Sequence, residues 1–156
     1  MAANRSAEDH WIGQIDGIVE EVFQMMLQRS CGVADDAAEI GIDISARVLI
    51  SGTVEGRCVI QFPSASARKL TTLFLGSEGS EGGWDDAMIE DAVGELCNMI
   101  AGGWKTRLCM LDSVCDLSVP SISRGLDLDS SDAGTLGVRR NYAFDDSVFT
   151  VNLAIL

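Results

Sequence analysis

The residues best placed to do chemistry sit on one stretch of the chain: Asp91, Glu95, Asn98, Gly102 and Lys105. Wound into a helix at about 100° per residue, Asp91, Glu95 and Asn98 fall within roughly 60° of one another. Gly102 and Lys105 extend the same row, while Ile89, Val93, Leu96 and Ile100 form an apolar stripe on the opposite side. Such a helix buries one face and displays two carboxylates and an amide on the other. Gly94 and Gly102 flank the row, although each costs a helix about 1 kcal/mol relative to alanine. Lacking side chains, they would let another molecule's backbone approach Glu95 and Asn98 closely. They could equally fit against a neighbouring helix, with Asn98 a tolerated surface residue. Geometry alone shows an accessible polar face and no reaction. Asp91 and Glu95 could serve as an acid–base pair on a small molecule, but nothing in the sequence points to a pocket or to a matched acid and base.

The elements that must position this row can be read from periodicity. Residues from about Asp9 to Arg29 form an amphipathic helix, with Trp11, Ile15, Ile18, Val22 and Met25 at spacings of three and four. A polar connection spans Cys31–Glu39. Ala46–Phe62 then alternates as two strands about a tight turn at Glu55 and Gly56, and Pro63 ends the second. Ser64 is the expected N-cap of a short helix to about Leu75, which Gly76 stops. After a flexible loop over Gly76–Gly83, the helix of interest runs from about Asp85 to Met110, its first turn acidic as the helix dipole favours. The remainder is β-rich: Ser113–Ser121, Thr135–Phe144 and Val148–Leu156, with Asp145 and Asp146 at the last turn and an irregular Gly125–Gly134. The pattern is α+β, long helices on a mainly antiparallel sheet.

Composition narrows the function classes. The chain has 156 residues, enough for one domain; it is 47% hydrophobic and 22% charged, the balance of a globular protein. There is no uninterrupted apolar run long enough to span a membrane, and the first residues lack the apolar core of a signal peptide, so neither a membrane nor export is expected. The formal net charge of −13 repels phosphate backbones, so nucleic acid is not an expected partner. It suits a partner with a lysine- or arginine-bearing face, or simply keeps the protein soluble. The five cysteines, Cys31, Cys58, Cys97, Cys109 and Cys115, are scattered, and the one histidine is His10. That inventory disfavours a zinc site, a disulfide framework, a Ser-His-Asp hydrolase and a Cys-His protease, and most thiols are expected to act as small core hydrophobes in a reducing cytoplasm.

The spacing Asp91-x3-Glu95-x2-Asn98, with Pro120 after a further 21 residues, resembles the signature of the CheC/CheX chemotaxis phosphatases. The helix from Gly94 to Gly102 is also similar to theirs, as are Gly52–Gly56 followed by Val59–Pro63, and the order of elements matches over nearly the whole chain. The Asn98-to-Pro120 interval is one residue shorter than the family's. CheC-type members carry a second signature on the first helix. Here Asp16 and Glu20 are followed by Phe23 where the amide belongs, and Glu21 and Gln24 follow Gly17 where an acid or serine belongs. One site per chain resembles the CheX branch.

The resemblance implies one CheX-like domain over residues 1–156, residues 1–8 being a frayed terminus, and hydrolysis of the aspartyl phosphate of a phosphorylated CheY-like receiver. By carry-over, Glu95 and Asn98 are the catalytic pair: Asn98 orients the attacking water and Glu95 pairs with the receiver's phosphate-site lysine. Asp91, Gly94, Gly102 and Lys105 become partner-binding positions. The resemblance implies no cofactor or metal of the chain's own, the receiver supplying Mg2+, and it implies a homodimer in the cytoplasm. The rival expectation is a catalytically silent CheX-like module that docks to a receiver or motor protein.

Overall fold

In β2 (Ile44–Gly52), alternation puts Ile44, Ala46, Val48 and Ile50 on one face, and all four are buried. β3 (Gly56–Phe62) pairs antiparallel with it, from Ile44 opposite Phe62 to Ile50 opposite Gly56, so Cys58, Ile60 and Phe62 face the same way. The computed structural model describes residues 14–35, 40–52, 55–76, 84–108, 115–124 and 136–155. The loop expected at Gly76–Gly83, apart from Gly76 itself, and the irregular Gly125–Gly134 lie outside these residues.

The remaining strands are β1 (Gly32–Val33), β4 (Cys115–Leu117), β5 (Ser121–Arg124), β6 (Leu136–Phe144) and β7 (Ser147–Ile155). All pairings are antiparallel, in the order β1-β6-β7-β3-β2-β4, with β5 also on β2. β6 and β7 form a hairpin whose turn holds Asp145 at φ 51°, a left-handed conformation that aspartate tolerates better than most residues. Lys69 lies 3.7 Å from the Asp145 carboxylate there.

Two sequence expectations change here. Ser113–Ser121 reads as one strand, yet β4 pairs with the far half of β2 and β5 with its near half, and residues 118–120 interrupt them. Pro120 has no N–H to give the ladder, and an edge strand is where such a break is tolerated. Within the gap, Leu49 N–H donates to Ser118 Oγ (2.9 Å) and Ser118 N–H donates to Leu49 O (2.9 Å). The polar connection after Cys31 also holds a short strand, β1, which pairs Gly32 with Ala143 and Val33 with Tyr142; two residues are too few to show a period.

The helices pack on the apolar face. α1 covers residues 14–22 and continues as a π-helical turn over Phe23–Leu27. It presents Ile15, Ile18, Val19, Phe23 and Leu27 to the core; the expected start at Asp9 lies outside the described residues. Arg140 of β6 grips Asp16 with two hydrogen bonds (2.9 and 3.1 Å), and Tyr142 Oη donates to the same carboxylate at 2.7 Å. Burial first, and then that hydrogen bond, push the Tyr142 hydroxyl well above the usual phenol range.

α2 (Ser64–Leu75) stops at Gly76, whose φ of 86° favours glycine. Ser64 is not its N-cap. It is already helical, and its N–H donates to Asp43 Oδ2 at 2.8 Å from the preceding loop. The other sheet face is polar. Asn152 Nδ2 donates to Gln61 Oε1 (3.1 Å), and Thr150 Oγ1 donates to Asn141 Oδ1 (2.8 Å).

At the core's centre the Phe149 ring lies 4.8 Å from Phe62, 5.6 Å from Phe23, 5.7 Å from Tyr142 and 5.8 Å from Phe144. One side chain thus joins α1, β3, β6 and β7. Cys31, Cys58 and Cys97 are free and buried, as small core hydrophobes should be, whereas Cys115 is disulfide-bonded. Burial, with a smaller contribution from Glu20, raises the Cys31 thiol to about 12. Phe149→Ala should cost about 3 to 5 kcal/mol, much of a typical domain's stability, read as a lower urea midpoint.

Candidate functional site

The row of polar residues lies on α3 (Asp86–Leu108). The helix is capped by Asp85, whose Oδ1 accepts from Met88 N–H at 2.9 Å, and it ends with Lys105 and Arg107 in its last turn, where the dipole favours cations. Its apolar stripe is fully committed: Ile89, Val93, Leu96, Ile100 and Trp104 are each no more than 5% exposed. The Trp104 ring lies over β3, 3.1 Å from where a Cβ on Gly56 would stand. Cys97, on the same buried side, directs Sγ towards Ala46 O (3.5 Å) and Cys58 O (3.6 Å). Its hydrogen bond with Cys97, followed by burial, raises the Cys58 thiol well above its usual range. Both thiols are packing groups, remote from the polar row.

On the outward side, Asp91 and Glu95 are exposed and Asn98 is half-buried. None of these three makes a side-chain hydrogen bond or ion pair with any described residue, and Lys105 is likewise free. Unpaired carboxylates gain nothing for the fold, so the row's polar capacity is available to an incoming molecule.

Both glycines that flank the row face the chain's own β4–β5 ribbon, Gly94 closely and Gly102 loosely. A Cβ on Gly94 would lie 3.4 Å from Pro120 Cβ and 3.5 Å from Ile122 Cδ1, and one on Gly102 would lie 3.9 Å from Leu117 Cδ1. The approach that Gly94 permits is therefore occupied by the chain's own β4–β5 ribbon. Gly94 is buried beneath it, while Gly102 remains half-buried. Asn98, one turn from each glycine, stands on the same side of α3, so Leu117–Ile122 forms a wall along the row. Arg124 of β5 ties that wall to the helix start through Glu90 (3.4 Å) and Asp86 (3.5 Å).

Sequence reasoning missed two positioning features. Gly103 is the glycine that α1 requires, because a Cβ there would meet Ile18 Cγ2 at 2.9 Å. The Gly102–Gly103 doublet was the available signal: one glycine faces the ribbon, the next the crossing helix. Arg124 carried no signal, since its partners lie some 35 residues away (Glu90 is separated by 34). Among the described residues no group of three or more His, Cys, Asp and Glu side chains could hold a metal ion. No helix among them is long and apolar enough to cross a membrane.

Comparison with known proteins gives the chain's family and fold. Residues 44–138 match the family described as chemotaxis phosphatase CheX. The CheY-P phosphatase CheX of Thermotoga maritima is 29% identical over 106 residues, which make up 68% of this chain and 67% of that protein. The crystal structure of the chemotaxis protein CheX from Desulfovibrio desulfuricans superposes with a TM-score of 0.71 at 21% identity, covering 92% of this chain and 97% of that one. A CheX–CheY–BeF3–Mg2+ complex from Borrelia burgdorferi gives 0.67 at 24% identity, covering 92% and 96%. At those identities the two structures establish the shared fold.

The packing at Gly94 is directly testable. Alanine fits the 3.4 Å space and removes the glycine penalty, so Gly94→Ala should gain up to about 1 kcal/mol in denaturant unfolding. Gly94→Leu should lose about 1 to 3 kcal/mol by driving against Pro120.

Proposed function

The chain belongs to the CheX family of chemotaxis phosphatases, and from that premise we propose that it hydrolyses the aspartyl phosphate of a CheY-like response-regulator receiver. The observation that carries this reading is the free polar row. Glu95 and Asn98 stand on one face of a rigid helix with no partner among the described residues. An acyl phosphate is already reactive, so a phosphatase need only hold a water in line and fix the partner's groups. Asn98 enters the receiver's site; its amide oxygen accepts from the water and its amide N–H donates towards the phosphoryl oxygens. The water oxygen attacks phosphorus as the bond to the aspartyl oxygen breaks, releasing inorganic phosphate and the free carboxylate.

Glu95 pairs with the receiver's phosphate-site lysine and sets the docking register through a charge-assisted bond. Asp91 contacts the partner's surface beside it, and Gly102 and Lys105 extend the contact along the row. Gly94 acts from beneath, by seating Pro120 against the helix. Mg2+ belongs to the receiver and arrives with it, which agrees with the ions named for the Borrelia burgdorferi complex. The substrate places the reaction in the cytoplasm. The protein works as a homodimer, with one Glu95–Asn98 site in each chain.

Asn98→Ala should lower the rate of phosphate release from a phosphorylated receiver by at least about 100-fold while leaving receiver binding intact. Glu95→Ala should raise KM by about tenfold, and its docking should depend less steeply on salt than that of the wild type. Normal turnover by the Asn98→Ala protein would refute the mechanism. Binding by the wild type without faster phosphate loss would instead identify a silent docking module. Light scattering at micromolar concentration should give the mass of a dimer; a monomer there would remove the assembly claim.

A further inference from the structure

Three unpaired polar side chains give register and chemistry, but they are a poor source of affinity. Exposed ion pairs contribute little, and association must overcome the loss of translational and rotational freedom. A docking face needs apolar area that leaves water when the partner arrives, set close to the polar centre. The described surface holds one residue built for this. Val119 is 82% exposed, the most exposed of the large hydrophobic residues described.

Its display is not the chance exposure of a loose loop. Val119 sits between two anchors in the break separating β4 from β5. On one side Ser118 is bound to β2 through its N–H to Leu49 O and through its Oγ, which accepts from Leu49 N–H. On the other side Pro120, with its fixed φ, packs over Gly94 of α3. Ser118 Oγ also donates to Val119 O at 3.1 Å, closing the bend from within. An apolar side chain held outward in this way has already lost its backbone freedom, so little ordering remains to oppose binding. The two anchors place it on the wall beside Asn98, on the outward side of α3.

A second exposed apolar residue borders the same row from its other end. Met88 is 43% exposed and lies seven residues before Glu95, within about 20° of it around the helix and about 10 Å along it. The polar row thus runs between an apolar side chain at the helix start and another on the ribbon. The other exposed hydrophobics described are Met25 and Met26 at the end of α1, Val33 on β1, Leu75 at the end of α2, and Leu49 of β2, which alternation turns to the sheet face away from α3.

We propose that Val119, assisted by Met88, is the apolar anchor of the docking face and determines affinity for the phosphorylated receiver through an apolar patch beside the receiver's phosphorylation site. This rests on the phosphatase reading above for the identity of the partner. It assigns binding to residues distinct from Glu95 and Asn98, and neither Val119 nor Met88 takes part in the chemical step.

The test uses the full chain and a CheY-like receiver loaded with beryllofluoride and Mg2+, with phosphate release from the phosphorylated receiver measured in parallel. Val119→Ser should weaken binding about tenfold and raise KM in step, with kcat and the unfolding midpoint unchanged. Met88→Ser should act in the same direction, and Val119→Ile should bind like the wild type. If Val119→Ser binds the loaded receiver as tightly as wild type, the proposal is overturned while the phosphatase reading stands. A fall in kcat at constant affinity would also overturn it, since the residue would then act on chemistry. If the wild type binds the receiver without hydrolysing its phosphate, the phosphatase reading falls and the binding data on Val119 still decide this one. If the wild type binds no loaded receiver, both fall.

Discussion

Everything at the candidate site depends on how α3 is laid onto the sheet. Its apolar stripe, from Ile89 to Trp104, is buried against β2 and β3, with Trp104 over the bare backbone of Gly56. Each large apolar side chain buried there contributes roughly 1.5 to 3 kcal/mol, and a rotation of α3 would expose several at once. The outward direction of Asp91, Glu95 and Asn98 is therefore set by groups that play no part in chemistry. The role proposed for Asn98 needs that rigidity, because small displacements of a positioning group lose much of its benefit.

The same helix is confined on two further sides, with no room for a Cβ at Gly103 and room for little more than one at Gly94. Ile18 of α1 crosses at Gly103, and the Leu117–Ile122 ribbon crosses at Gly94 and Gly102. Three glycines in one helix lower its intrinsic stability by roughly 3 kcal/mol. Close packing requires the glycine at Gly103, where a Cβ would stand 2.9 Å from Ile18 Cγ2, whereas at Gly94 the 3.4 Å spacing admits an alanine. The consequence for function is that Pro120 and Val119, distant from Asn98 in sequence, become fixed features of its surroundings.

Much of this was legible beforehand because it was periodic. The alternation through Ala46–Phe62 gave the central hairpin, and the 3.6-residue rhythm of Ile89, Val93, Leu96 and Ile100 showed which side of α3 faces out. The polar row followed as the complement of that stripe. What stayed hidden had no period. β1 is two residues long, the break at Ser118–Pro120 depends on edge-strand tolerance, and the cap of α2 is supplied by Asp43 from another segment. The glycines were noticed, but their neighbours were not: a missing side chain marks a close approach without saying whose backbone or ring makes it. Gly94 looked like room for a partner and is filled by Pro120.

The contrast between α1 and α3 bears on how many sites the chain carries. Both helices offer an acid, a three-residue gap and a second acid, Asp16 with Glu20 and Asp91 with Glu95. On α1, Asp16 accepts two hydrogen bonds from Arg140 and one from Tyr142, and removing it would take those bonds from a half-buried guanidinium and a buried phenol. Glu21 is likewise engaged, by Arg107 of α3 at 3.3 Å. Phe23, standing where an amide would be needed, is fully buried against Phe144 and Phe149. Asp16 holds α1 to β6 and Glu21 holds it to α3, while its third position belongs to the core. On α3 the corresponding groups have no internal partner and the third position is an amide. On α1 the acid with no partner, Glu20, is followed by the buried Phe23, and the acid followed by an amide, Glu21, is already held by Arg107, so among the described residues only α3 sets a free acid three residues before an amide.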